Sequence, residues 1–236
     1  MLSFLGIGAQ KAGTTWLYEQ LKAHPGLAFP RGKELHFWNN PHDAAGVAAY
    51  LASFETVGTK AGEITPAYAL LPVETIRVIR QHLPHLRLVY LIRNPIERAW
   101  SGALMALGRA EMTLEEASDH WFIDHFRSAG SLSRGDYGAC LRNWGSVFPM
   151  EQLLVLRFEQ IQSEPESLLQ RCFSHVGAPA LDVETLRRNG CRNAVFQGPG
   201  HPLRPSLLPV LRGLYEARIQ ALARALDQDL TAWLDV

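Results

Sequence analysis

The sequence predicts an α/β fold in a single domain, residues 1–236, with a parallel β-sheet of about four or five strands flanked by helices. Short apolar runs of strand length alternate with segments of helical spacing, as in a parallel sheet covered on both faces. A composition of 47% hydrophobic and 19% charged residues is that of a packed globular enzyme and excludes a disordered chain. No repeat, low-complexity tract or linker divides the chain, and 236 residues suffice for one large core.

In chain order, residues 2–8 are a continuous apolar run that ends in Gly8-Ala9-Gln10-Lys11-Ala12-Gly13-Thr14-Thr15. Trp16 to Leu21 then has helical spacing and stops near His24-Pro25-Gly26, giving strand, glycine turn and helix. Gly26–Phe29 and Lys60–Ile64 are shorter strand candidates. Leu86–Ile92 is a buried strand that meets Arg93-Asn94-Pro95, with a helix following from Ile96 to Leu107. Residues 113–147 predict helices in series, and Leu153–Phe158 a third buried strand before a helix over 166–175. Residues 189–205, rich in Gly, Pro and Asn, predict a surface loop, and residues 203–226 a terminal helix.

Lysine plus arginine and aspartate plus glutamate both total 23, so the chain has no overall basic field for nucleic acid. An anion site must be built from a few positioned groups. Cys140, Cys172 and Cys191 match no metal spacing, and their odd number fits a reducing compartment. The apolar N-terminus reads as a first strand and not as a leader, and no run approaches the ~20 apolar residues of a membrane span. The expectation is a cytoplasmic protein without stable membrane insertion.

The strongest local signal is Gly8 to Thr15. A strand running through a glycine turn into a helix aims backbone N–H groups at one spot, where the helix dipole also favours an anion. Gly13 lets a phosphate approach, Thr14 and Thr15 add hydroxyls, and Lys11 adds a charge. A Walker A loop needs Lys-Ser/Thr directly after its second glycine, and here Thr14-Thr15 stands in that place. The pattern therefore argues against a magnesium-bound triphosphate.

Lys11-Ala12-Gly13-Thr14-Thr15 resembles the 5′-phosphosulfate loop of sulfotransferases that use 3′-phosphoadenosine 5′-phosphosulfate, PAPS. The resemblance implies a P-loop-like sulfotransferase fold, with PAPS as co-substrate, its 3′,5′-diphosphate PAP as product and no metal. It implies that Lys11, Ala12, Gly13, Thr14, Thr15 and Trp16 line the 5′-phosphate. Arg93 with Ser101, eight residues on, matches the family's 3′-phosphate pair. A guanidinium fork and a hydroxyl suit a terminal phosphate. Arg98 can instead be a plain ion-pair partner of Glu97 or Glu63. Lys33-Glu34-Leu35-His36-Phe37-Trp38 resembles the heparan-sulfate-type and related bacterial branch, which implies Glu34 as general base, with His36 as the rival. In an extended segment these two share a face, being two residues apart.

Gly62-Glu63-Ile64-Thr65-Pro66-Ala67-Tyr68 follows the branch's Glu-Lys-(Thr/Ser)-Pro-x-Tyr, with Ile64 where the family lysine stands and Lys33 as a candidate replacement. Tyr137 can face the cofactor or the core. Gln197 and Gly198 fall where the family places its cofactor-capping loop. The implied reaction is in-line sulfuryl transfer to a hydroxyl or amine of a small-molecule, lipid or saccharide acceptor. The rivals are a P-loop kinase or NTPase and a non-catalytic nucleotide-binding module.

Overall fold

The structure, a computed structural model, describes residues 1–55, 58–195 and 200–235. Along the chain run β1 (Leu2–Gly8), α1 (Thr14–Lys22), β2 (Leu27–Ala28), α2 (Ala44–Ala52), β3 (Lys60–Ile64), α3 (Val73–His82) and β4 (Arg87–Ile92). There follow α4 (Pro95–Arg109), α5 (Asp119–Arg127), α6 (Ala129–Arg134), α7 (Tyr137–Gly145) and β5 (Leu153–Arg157). The last elements are α8 (Gln160–Ser163), α9 (Pro165–Val176), α10 (Val183–Arg188) and α11 (Leu208–Leu226). They divide into two compact units, Met1–Ile92 with Arg142–Phe196, and Arg93–Leu141 with Gln197–Val236.

The first unit holds the whole sheet. Its five strands are parallel in the order β2-β3-β1-β4-β5. Leu5 of β1 pairs with Glu63 of β3 on one side and Leu88 of β4 on the other. Phe4, Ile64, Val89 and Leu91 line one face with Trp16 and Leu17 of α1 and Leu169 and Phe173 of α9. Leu5, Leu88 and Tyr90 alternate with them and are buried as well, which is why the strands read as unbroken apolar runs. Gly62 leaves room for Phe4, because a Cβ there would lie 2.0 Å from its ring. All strands end at the same sheet edge, so the segments after Gly8 and Ile64 emerge together.

The second unit is helical, and α11 packs on α4. Its terminal helix starts later than the sequence predicts. Pro205–Leu207 is a 3-10 turn and α11 begins at Leu208 with proline in its first turn. Proline has no N–H to extend a helix upstream, so it is tolerated only at such a start. Four helices of the first unit were not anticipated from the sequence. They are α2, capped by Asp43 accepting from the Gly46 amide, α3, which begins after Pro72, and the short α8 and α10. Among the described residues no helix is long and apolar enough to cross a membrane.

Candidate functional site

In the first unit, β1 delivers the chain into a tight loop. Ala12 N–H bonds the Ala9 carbonyl at 3.3 Å, and Gly13 sits directly before α1 at φ 86°, ψ 15°. That left-handed conformation suits glycine, and a Cβ would also come within 2.6 Å of Ile161 Cδ1 and 2.9 Å of Phe158. The start of α1 has no side-chain cap. Its first-turn amides thus face the loop without a side-chain oxygen to take them, which is the donor set an anion needs. Thr14 is buried, Thr15 exposed and Lys11 intermediate at φ 67°. Ala12 is buried, and Trp16 turns its indole into the core, where Nε1 donates to the Cys191 carbonyl at 3.0 Å. Of Trp16 only the backbone amide stays with the loop.

The segment after Pro30 carries the candidate base. Lys33 and Glu34 form an ion pair, the lysine side chain 14% and the glutamate side chain 48% exposed. The Glu34 amide donates to the Ile64 carbonyl at 2.9 Å, which ties the base to the end of β3. The segment is not extended: Glu34 and His36 both have positive φ, 61° and 54°, and a 3-10 turn over Phe37–Asn39 follows. The shared-face expectation for residues 34 and 36 therefore fails, because alternation requires β geometry. His36 is exposed, with Nδ1 3.2 Å from Asn39 Oδ1, and Asn40 donates to its carbonyl.

Behind this segment lies a group that sequence reading treated only as a possible partner of Arg98. Glu63 is fully buried and accepts from Thr65 Oγ1 at 2.6 Å, Tyr68 OH at 2.9 Å and Tyr50 OH, and the nearby Leu35 amide also favours its charged form. Burial pushes its carboxyl above the usual carboxylate range, against the pull of these donors. Burial, and then the neighbouring Glu63 charge, push both tyrosine hydroxyls up. Ile64, in the family lysine's position, is packed in the core.

In the second unit, Arg93-Asn94-Pro95 forms the head of α4. Asn94 caps the helix by accepting from the Ile96 amide at 3.0 Å, and its Nδ2 donates to the Trp233 carbonyl. Tyr137 is buried and donates its hydroxyl to the Arg93 carbonyl at 2.7 Å, so that hydroxyl fixes the backbone beside the arginine. Arg93 lays its Nε and Nη2 on Glu97 Oε2 at 3.0 and 2.7 Å. Arg98, the alternative partner of Glu97, is 1% exposed and gives Nη2 to Ser131 O and Oγ and to Tyr215 OH. The spacing could have shown this: residues four apart meet on a helix, and adjacent ones do not. Ser101 lies one further turn along, in line with Arg93 and Glu97. Gln197 and Gly198 lie outside the described residues. Just past them, the His201 carbonyl accepts from Trp100 Nε1 at 2.8 Å, and Arg204 pairs with Asp119 at 2.7 Å.

All three cysteines are buried and none is in a disulfide, and burial pushes the Cys172 thiol up to about 12. Among the described residues no group of three or more His, Cys, Asp or Glu could hold a metal ion.

Comparison with known proteins bears on this arrangement. The chain is 28% identical over 176 residues to mouse heparan sulfate glucosamine 3-O-sulfotransferase 6, covering 72% of this chain and 51% of that protein. It is 24% identical over 194 residues to bifunctional heparan sulfate N-deacetylase/N-sulfotransferase 1 of Caenorhabditis elegans, covering 77% of this chain and 23% of that one. The chain thus spans about half or less of the length of these relatives. Among solved structures, a sulfotransferase from Alicyclobacillus acidocaldarius superposes with TM-score 0.74 at 23% identity, covering 99% of this chain and 98% of the other. A mouse sulfotransferase complexed with PAP superposes with TM-score 0.63 at 15% identity, covering 96% and 87%. These likenesses show the P-loop-like fold. The family model described as the sulfotransferase domain matches residues 3–197, most of the chain, and the chain belongs to that family.

Proposed function

We propose that this chain transfers a sulfuryl group from PAPS to a hydroxyl or amine of a small-molecule, lipid or saccharide acceptor, and that its two units act together as one catalytic domain. The observation that carries the reading is the uncapped start of α1 behind Gly13, with Lys11 in the same loop, in a chain of the sulfotransferase family. PAPS, when bound, supplies the sulfuryl group and departs as PAP.

Lys11 and the amides of Gly13, Thr14 and Thr15 hold the 5′-phosphate and neutralise the charge that grows on its bridging oxygen, a stabilisation largest in the transition state. Because these donors are fixed by the β1–α1 turn, they need no rearrangement when charge develops. Arg93 and Ser101 bind the 3′-phosphate, the arginine exchanging its Glu97 partner for the phosphate. Glu34 takes the acceptor's proton as the acceptor oxygen or nitrogen bonds to sulfur. Lys33, mostly buried beside it, supplies the positive charge that the family places at the position of Ile64. Gln197 and Gly198 contribute neutral donors to the nucleotide. Three buried thiols in no disulfide fit a reducing compartment, and with it a cytoplasmic protein.

The test is PAP formation from PAPS across a panel of hydroxyl and amine acceptors. Wild-type turnover is expected, with Glu34→Gln slowed by about 10²–10⁴-fold, the usual contribution of a general base, and PAP binding unchanged. His36→Ala should lose less. An inactive His36→Ala beside an active Glu34→Gln would transfer the base role to the histidine. Absence of turnover with tight PAP binding would make the chain a nucleotide-binding module.

A further inference from the structure

The carboxylate of Glu63 is buried at the end of β3, and its hydrogen-bond partners are three hydroxyls, with the Leu35 amide close by, all neutral. Burying a carboxylate without a cation is costly unless its hydrogen bonds are all made. The elements from which those bonds come are informative. Tyr50 belongs to α2, and Thr65 and Tyr68 to the turn after β3. Leu35 lies beside Glu34 in the base segment.

Both tyrosine contacts continue into residues 34–38, which the backbone also joins to β3. The Glu34 amide bonds the Ile64 carbonyl, next to Glu63, at 2.9 Å. Tyr68 OH receives the Trp38 amide at 3.4 Å while donating to Glu63. The Tyr50 ring stacks on Phe37, with centroids 4.1 Å apart and planes 7° from parallel. The segment so held contains two non-glycine residues at positive φ, Glu34 and His36. Such conformations persist only where surrounding contacts over-determine them. A carboxylate with two oxygens can collect these three hydroxyl donors at one point, which no apolar side chain of that size could do.

We propose that Glu63 is a positioning residue for the reaction: its buried carboxylate ties the Lys33–Trp38 segment to β3 and α2 and so holds Glu34 in its left-handed backbone conformation. This rests on the reading of Glu34 as the base. Misplacing a reacting group by about 1 Å can cost roughly 100-fold in rate. Glu63→Ala should therefore lower kcat about 10- to 100-fold while the KM for PAPS and the affinity for PAP stay within about twofold. Glu63→Gln keeps an oxygen that accepts from hydroxyl and amide, and should recover most of the rate.

The deciding experiment is hydrogen exchange of the amides of residues 34–38, measured with kcat, KM and PAP affinity on wild type, Glu63→Ala, Glu63→Gln and Tyr68→Phe. Faster exchange in the order wild type, Gln, Ala, with kcat falling in the same order, is the expected result. Tyr68→Phe removes one donor and serves if Glu63→Ala does not fold; it should raise exchange at Trp38 and lower kcat. Unchanged exchange, or faster exchange with unchanged kcat, overturns the proposal. An active Glu34→Gln would overturn the base assignment and leave the exchange result standing, so the two failures are told apart.

Discussion

The loop before α1 and the head of α4 share one local plan, a strand end followed by a helix, and yet they offer an anion different donors. At α1 the turn residue is Gly13 in a left-handed conformation, with no side chain on the first-turn amides. At α4 those amides are partly consumed, because Asn94 takes the Ile96 N–H and Pro95 has none to give. A phosphate placed at α1 would therefore meet backbone donors, whereas one placed at α4 would meet the side chains of Arg93 and Ser101. Those side chains come with a competitor, since Arg93 already carries the Glu97 carboxylate. Under the proposed function the α1 loop is ready as folded, while Arg93 would exchange one anion for another.

The largest expected effect separates the two receptors by what they do to rate and to binding. Lys11→Ala should cost about 10²–10³-fold in kcat, as for loss of one donor to a developing oxyanion, with a smaller loss in PAP affinity. Arg93→Ala should do the reverse. Its kcat at saturating PAPS should hold, while the preference for PAP over adenosine 5′-phosphate drops by about 1.5–3 kcal/mol, the worth of a charge-assisted hydrogen bond. Calorimetry with both nucleotides reads this directly. An Arg93→Ala protein that still prefers PAP would remove Arg93 from the 3′-phosphate.

Next in size is the glycine itself. Gly13→Ala forces a Cβ at positive φ into Ile161 and Phe158. The expected loss is about 1–3 kcal/mol of stability, seen as a lower Tm, together with weaker PAP binding. If Tm is unchanged, the loop is not held as described.

The smallest effect tests the competitor at α4. Glu97→Gln frees Arg93 from a partly exposed ion pair worth about 0–1 kcal/mol, so PAP should bind up to a few-fold more tightly. Adenosine 5′-phosphate should be unaffected. Tighter binding of both nucleotides would show a general charge effect and not an exchange at Arg93.

Much of the sheet was legible because its information is short-range. Residues 2–8, 86–92 and 153–158 are apolar but for Ser3, Arg87 and Arg157, and they become β1, β4 and β5 to within a residue, β1 and β4 almost wholly buried. The glycine turn into α1 was legible for the same reason, since Gly13, Lys11 and the start of α1 lie within a few positions of one another. Less was legible in residues 33–38. Their residue types point to a base, but the positive φ of Glu34 and His36 follows from bonds to β3, α2 and the turn after β3.

The sequence by itself determined the parallel sheet, the glycine turn before α1 and the arginine at the end of β4, because each is written in neighbouring residues whose backbone preferences agree. Only the tertiary structure decided that Arg98 is buried against Ser131 and Tyr215, and that Glu63 gathers donors from α2 and the turn after β3. Those partners are chosen by which side chains burial brings within hydrogen-bond reach. For Arg98 and Ser131 they are 33 residues apart in the chain, too far for any local pattern to register.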